Sequence, residues 1–262
     1  MKRKKFCLAL ILSIVLHFVS GCEMQTDISG KNIENSPELI IGCDEFAPFS
    51  YRDDKENMAG IDVELAREAC RRLGYKPVFQ KIRWEDKDKL LEEGKVACLW
   101  GCFTMTGRKQ KYLWAGPYLH SRQVVMVRKD SQIEDLSQLA DENVAVQTGG
   151  KAEEYFLTKE DVKTRNIYAF STMSEALAAI WDPSVGAVAG HEGALLQFMK
   201  EQPESYRFLD RELFVVELGV AFKKKGNKIL ARALAATLNE MKQDGTTGRI
   251  VKKYGLDPDK ML

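Results

Sequence analysis

The sequence predicts an α/β protein of two lobes, and three observations carry that expectation. Short apolar runs alternate with amphipathic helical segments in two separate stretches, one before residue 100 and one beginning at residue 144. Extended apolar segments at 124–127, 214–216 and 218–222 join the two stretches. Turns rich in aromatic, glycine or charged residues fall just past predicted strand ends, where open α/β sheets bind their ligands.

Residues 39–42 read as the first strand, which runs into a loop holding Asp44, Phe46, Pro48, Phe49 and Tyr51. Aromatics placed there are either core plugs or the walls of a ligand slot. Asp62 is expected to cap a helix whose apolar residues are Ile61, Leu65, Ala69, Cys70 and Leu73, with Gly74 as its stop. A second strand at 78–82 leads to Trp84, and 86–93 form a helix ended by Gly94. Residues 96–99 are a buried strand. This strand, helix, strand, helix, strand order predicts a parallel sheet with right-handed crossovers.

The second unit begins with a strand at 144–147, turns through Thr148, Gly149 and Gly150, and enters a helix containing Ala152, Tyr155 and Phe156. A strand at 167–170 follows, then a helix at 173–181 opened by a capping box of Thr172 with Glu175. A strand at 185–189 ends before Gly190, His191 and Glu192, and a helix covers 193–200. A long amphipathic helix from Ile229 to Met241, stopped by Gly245, precedes a last helix with Ile250, Val251 and Tyr254.

The formal charge of +1 comes from 39 basic and 38 acidic residues. Lys2, Arg3, Lys4 and Lys5 precede an almost wholly apolar run, 6–19, that ends in Val19-Ser20-Gly21-Cys22. A basic start, an apolar middle and small residues at a cleavage point form an export signal. Cleavage before Cys22 takes four basic residues and leaves 35 against 38, a charge of −3, which gives nucleic-acid binding no support. The stretch also resembles the bacterial lipobox, in which the cysteine bears the lipid. Residues 23–37 are polar and aperiodic and read as a flexible tether. Cys43, Cys70, Cys98 and Cys102 lack metal-site spacing and read as buried thiols, and with only His120 and His191 left in the exported chain no metal or other cofactor is expected.

The stretch 100–108, followed by Gly116-Pro117-Tyr118, presents one arginine beyond a buried strand. A guanidinium in that place suits a carboxylate, which it grips bidentately. Together with other pieces it carries a resemblance to the family 3 extracellular solute-binding proteins, the polar amino-acid receptors of ABC importers. The pieces are Ile41-Gly42-Cys43-Asp44 with 47–51, Gly60-Ile61-Asp62-Val63-Glu64-Leu65-Ala66, Trp84 with Gly94-Lys95, 101–108 with 116–118, 144–147, Asp244-Gly245-Thr246 and Lys253-Tyr254-Gly255.

The resemblance implies two Rossmann-like lobes joined by a hinge, of the type II periplasmic-binding-protein kind, with the second inserted into the first. It implies a signal peptide at 1–21, a tether at 22–37, a first lobe of 38–122 plus 217–262 and a second of 123–216. Arg108 matches the arginine that holds the ligand α-carboxylate, and Phe46 and Trp84 match the aromatics that bracket the ligand side chain. Gly149 and Gly150 fall where backbone N–H groups meet an anion at a helix start. Asp44, Gly101 and Thr104 lie in matched pieces and join the candidate ligand contacts. Three departures stand out: Phe103 replaces a hydroxyl residue, Gly150-Lys151 replaces a hydroxyl-rich turn, and His191 replaces an acid, with Glu192 as the alternative acceptor of an ammonium.

The implied function is that of a monomeric, non-enzymatic receptor, exported and held by a lipid on Cys22 at the outer face of the cell membrane. It would bind a small polar amino acid or related carboxylate between the lobes and serve the transmembrane subunits of an ABC permease. Two other readings remain open: a lyase or dehydratase on the same fold, with His191 and Glu192 as the general acid–base pair, and a ligand-sensing partner of a signalling receptor.

Overall fold

The computed structural model describes residues 36–159 and 161–262. The expected signal at 1–21, the lipid-bearing Cys22 and nearly all of the tether at 22–37 lie outside the described residues. Strand β1 (Glu38–Cys43) is buried along its apolar face and pairs in parallel with β4 (Lys76–Lys81) and β5 (Cys98–Leu99). Between β1 and β4 lie a small hairpin, β2 (Tyr51–Arg52) and β3 (Met58–Ala59), and helix α1 (Ile61–Leu73). Trp84–Asp86 form one 3₁₀ turn ahead of α2 (Lys87–Glu92). The parallel βαβαβ order expected before residue 100 is therefore present.

Asp62 corrects one expectation. The N-cap of α1 is Gly60, and Asp62 lies inside the first turn, buried, where it accepts the Cys102 backbone N–H at 2.6 Å. Its carboxylate fixes the site loop to the helix instead of closing the helix end. Gly60 has φ 122°, and a Cβ there would meet the Phe49 carbonyl oxygen at 2.3 Å, so only glycine fits this entry.

Strand β6 (Leu113–Arg128) is far longer than the sequence suggests, because Trp114, Gly116 and Pro117 lie within it. It pairs antiparallel with β11 (Phe214–Phe222) over one half and with β9 (Ala187–His191) over the other. The two extended segments expected at 214–216 and 218–222 are one strand, broken in register between Leu218 and Val220. Past β6, a capping box of Asp135 and Gln138 opens a 3₁₀ helix, Leu136–Asp141. The second unit follows with β7 (Asn143–Gln147), α3 (Lys151–Thr158), β8 (Asn166–Phe170), α4 (Met173–Ala178), β9 and α5 (Glu192–Glu201). The predicted capping box of Thr172 and Glu175 is formed. A short strand, β10 (Tyr206–Phe208), pairs with β6.

The sheet runs β4-β1-β5-β11-β6-β9-β7-β8, so β6 and β11 are the passage from one α/β unit to the other. Helices α6 (Lys228–Gln243), α7 (Thr246–Lys253) and α8 (Pro258–Met261) finish the chain, and α6 packs on β6 and α1. One core built on Ile41, Leu65, Leu119, Leu218 and Leu234 lies under these helices, and a second, with Val125, Val144, Val146 and Phe156, fills the second unit.

Candidate functional site

Beyond β5 the chain stays beside the antiparallel β11, with Thr104 bridged to Leu218. It turns through Gly101 to Arg108 and is stitched onto β11: Gly219 N–H donates to the Phe103 carbonyl at 3.0 Å, and Met105 N–H to the Glu217 carbonyl at 2.8 Å. The Thr106 hydroxyl accepts the Glu217 N–H at 3.0 Å. These bonds fix the loop to the strand that passes between the units. Cys102 takes φ 48°, unusual for a residue with a side chain, and the buried Asp62 carboxylate holds its N–H there.

A cavity of about 30 Å³ is enclosed between Asp44, Phe46, Trp84, Gly101, Phe103, Thr104 and Arg108 on one side and Gly150 and His191 on the other. Nine of the sequence candidates thus meet in one place. Gly149 lies just outside, lining a larger hollow of about 770 Å³ that shares Arg108 and Gly150 with the cavity. Glu192 does not line the cavity; Arg122 holds its carboxylate in a separate hollow near Leu196 and Leu256. Sequence reasoning missed Cys102, Gln147 and Lys151, which also line the cavity. The signal for the last two was their position: one ends β7 and the other starts α3, flanking the turn already singled out.

Contacts across the cavity join the two units. The Gln147 amide donates to Asp44 Oδ2 at 2.6 Å, and Arg108 Nη2 to Glu154 Oε2 at 2.7 Å. Thr104 Oγ1 lies 3.2 Å from His191 Nε2. The Lys87 ammonium reaches the Gly149 carbonyl at 3.4 Å. Phe103 sits 5.0 Å from the Trp84 ring and 5.2 Å from those of Tyr112 and Trp114, and the Arg108 guanidinium lies 5.5 Å over it. Phe103, where the resemblance implies a hydroxyl residue, therefore lies as an aromatic floor under the arginine.

Burial and then the nearby Arg108 charge push the His191 imidazole down to about 3, so it is neutral at ordinary pH. Burial lifts the Asp44 carboxyl to about 6 against the Gln147 hydrogen bond, and Asp62 to about 7. Asp44 Oδ1 is buried without a partner among the described residues. The site thus holds a paired guanidinium, a neutral imidazole and a carboxylate with an oxygen to spare, framed by aromatics. Such a set grips a small polar molecule by its charged ends. Among the described residues no His, Cys, Asp or Glu cluster is placed to hold a metal ion, and no helix is long and apolar enough to cross a membrane.

Residues 39–257 match the family model described as bacterial extracellular solute-binding proteins, family 3. The L-cystine-binding protein TcyA of Bacillus subtilis is 25% identical over 265 residues, covering 96% of this chain and 97% of the relative. The histidine-binding periplasmic protein of Salmonella typhimurium is 29% identical over 264 residues, with 94% and 96% covered. Among solved structures, an ancestral arginine-binding protein bound to arginine superposes with a TM-score of 0.76 at 28% identity, over 83% of this chain and 97% of that one.

Proposed function

Because the chain belongs to family 3 of the bacterial extracellular solute-binding proteins, we propose that it is the receptor of an ABC importer, not an enzyme, and that it closes on a small amino acid or related carboxylate held by Arg108. The observation that carries this reading is the position of that side chain. Arg108 is largely buried, lies on an aromatic floor, and faces the Gly149-Gly150 turn of the other unit across a cavity lined from both. Phe46 and Trp84 flank the ligand, Asp44 and His191 meet its polar groups, and Thr104 with Gly101 shapes the near wall.

The lobes in this reading are 38–122 plus 217–262 and 123–216, with β6 and β11 as the hinge between them. A cavity of about 30 Å³ has room for roughly two waters and not for an amino acid. Binding therefore requires the lobes to part and close again, as hinge-bending receptors do. Closure presents a composite surface to the permease. Residues 1–21 direct export, and a lipid on Cys22 holds the monomeric receptor at the outer face of the membrane. The lyase reading rests on His191 and Glu192 as an acid–base pair, and that pair is not assembled: Arg122 holds Glu192 outside the cavity, and burial keeps His191 neutral.

The test is a thermal-shift screen of the full chain against the twenty amino acids, simple carboxylates, amines and nucleobases. A ligand at a hundredfold excess over its dissociation constant adds about 2.7 kcal/mol to the folded state. A shift with an amino acid or carboxylate supports the reading; shifts confined to amines or nucleobases overturn it.

A further inference from the structure

We infer that the ligand carries a second anionic group beside the carboxylate on Arg108, and that Lys87 and Lys151 supply its anchor, so the cleft is built for a small dianionic acid. This rests on the receptor reading above and narrows it to a ligand class.

Three cations converge on the Gly149-Gly150 turn. Arg108 and Lys151 both reach Glu154, and Lys87 reaches the Gly149 carbonyl. Lys87 is only 6% exposed, yet its ammonium meets only the Trp84 and Gly149 carbonyls, at 3.3 and 3.4 Å, and the Trp84 ring, 5.4 Å away. Among the described residues no carboxylate pairs with it. The acids nearby are committed elsewhere: Asp88 to Lys111 and Tyr112, Glu153 to the Gly149 N–H, and Glu85 to Arg83. A buried ammonium solvated by two long carbonyl contacts lacks the counter-ion that burial demands. Burial pulls its pKa down, with Arg108 and Lys111 adding to the fall and the charges of Asp88 and Asp44, neither in contact with it, opposing it.

One carboxylate, Glu154, thus serves Arg108 and Lys151, and Lys87 has none. A ligand with a single carboxylate satisfies Arg108 and leaves this excess standing. A second anionic group placed against Lys87 and Lys151 removes it. The opposite ligand class fits poorly. A cationic side chain in the cavity would face Arg108 and Lys151, with the one free oxygen of Asp44 as the only acidic group lining it.

Calorimetric titration of the full chain with L-glutamate, L-aspartate, succinate, glutarate, L-glutamine and L-arginine tests this. At least one diacid is expected to bind tenfold more tightly than L-glutamine, and Lys87→Met to cut that ratio at least fivefold, with Lys151→Met as a second variant. Succinate or glutarate binding as well as the amino diacids would show that the two anionic groups suffice; a preference for the amino diacids would add Asp44 as the ammonium acceptor. Either result supports the inference. Tightest binding of L-glutamine or L-arginine, lost in Arg108→Ala, overturns it and leaves the receptor reading intact. A diacid preference unchanged in both lysine variants also overturns it. Failure of every amino acid and carboxylate overturns both.

Discussion

Arg108 Nη2 donates to Glu154 Oε2 at 2.7 Å, tying the loop after β5 to helix α3 of the other unit. Burial alone would lift the Glu154 carboxyl, but Lys151 and Arg108 hold it below its ordinary value, so it stays ionised. A carboxylate of the chain itself occupies the guanidinium on which a ligand carboxylate is expected to sit. Ligand and Glu154 then compete. Glu154 is more than a third exposed, so water already screens the pair and its worth is about 1 kcal/mol. Glu154→Gln is expected to tighten carboxylate binding roughly fivefold, read by calorimetry. Weaker binding in the variant would mean that Glu154 supports the closed form instead.

Gly150 tests the use of the second unit. Its φ of −74° is open to any residue, but a Cβ there would lie 2.8 Å from the Gln147 carbonyl oxygen, so the turn must move to admit one. Gly150→Val should displace the Gln147 amide from Asp44 and weaken ligand binding by at least tenfold. Unaltered affinity would show that the turn plays no part in closure.

Gly60 tests the support beneath the site. Its positive φ and the 2.3 Å approach to the Phe49 carbonyl leave no relaxed place for a methyl group. Gly60→Ala is expected to cost about 3 kcal/mol or more in denaturant unfolding. A loss below about 1 kcal/mol would contradict the account of this entry.

The buried acid Asp62 sets a stability slope of known sign. Burial raises it to about 7, so the folded chain keeps a proton that the unfolded chain gives up near 3.8. Stability from this group is therefore present at acid pH and lost as pH rises through 7. His191 slopes the other way: held near 3, it contributes stability that is complete above about 6.5 and lost as pH falls towards 3. Asp62→Asn keeps an oxygen for the Cys102 N–H and removes the first slope. At pH 8 the variant should gain up to roughly 4 kcal/mol over the parent, and at pH 4 nothing. Equal gains at both pH values in urea unfolding would assign the effect to packing.

The periodic elements were legible in the sequence because their signals are local. Gly74 stops α1 in a left-handed cap, and Thr172 with Glu175 forms the box that opens α4. What escaped depends on distant residues. Asp62 reads as a cap by type and spacing, but its real partner, the Cys102 N–H, is forty residues away. Strand β6 extends through Gly116 and Pro117 because β11 pairs with it on one side, which no window around residue 117 reveals. Most candidate contacts converge because they fall at strand ends, a rule of topology. Glu192 escapes that rule because Arg122, from β6, draws its carboxylate away. Lys87 looks like an ordinary surface lysine on a helix and is buried only because Trp84 and the Gly149 turn close over it.

The central claim is that Arg108 holds the ligand carboxylate in the cleft between the units. It is tested most directly by calorimetric titration of the full chain and its Arg108→Ala variant with the tightest ligand from the thermal-shift screen. Removing the partner of a desolvated carboxylate is expected to weaken binding by about 3 kcal/mol or more, over a hundredfold, while the variant unfolds cooperatively as the parent does. An affinity within about threefold of the parent would contradict the claim and move the ligand away from Arg108.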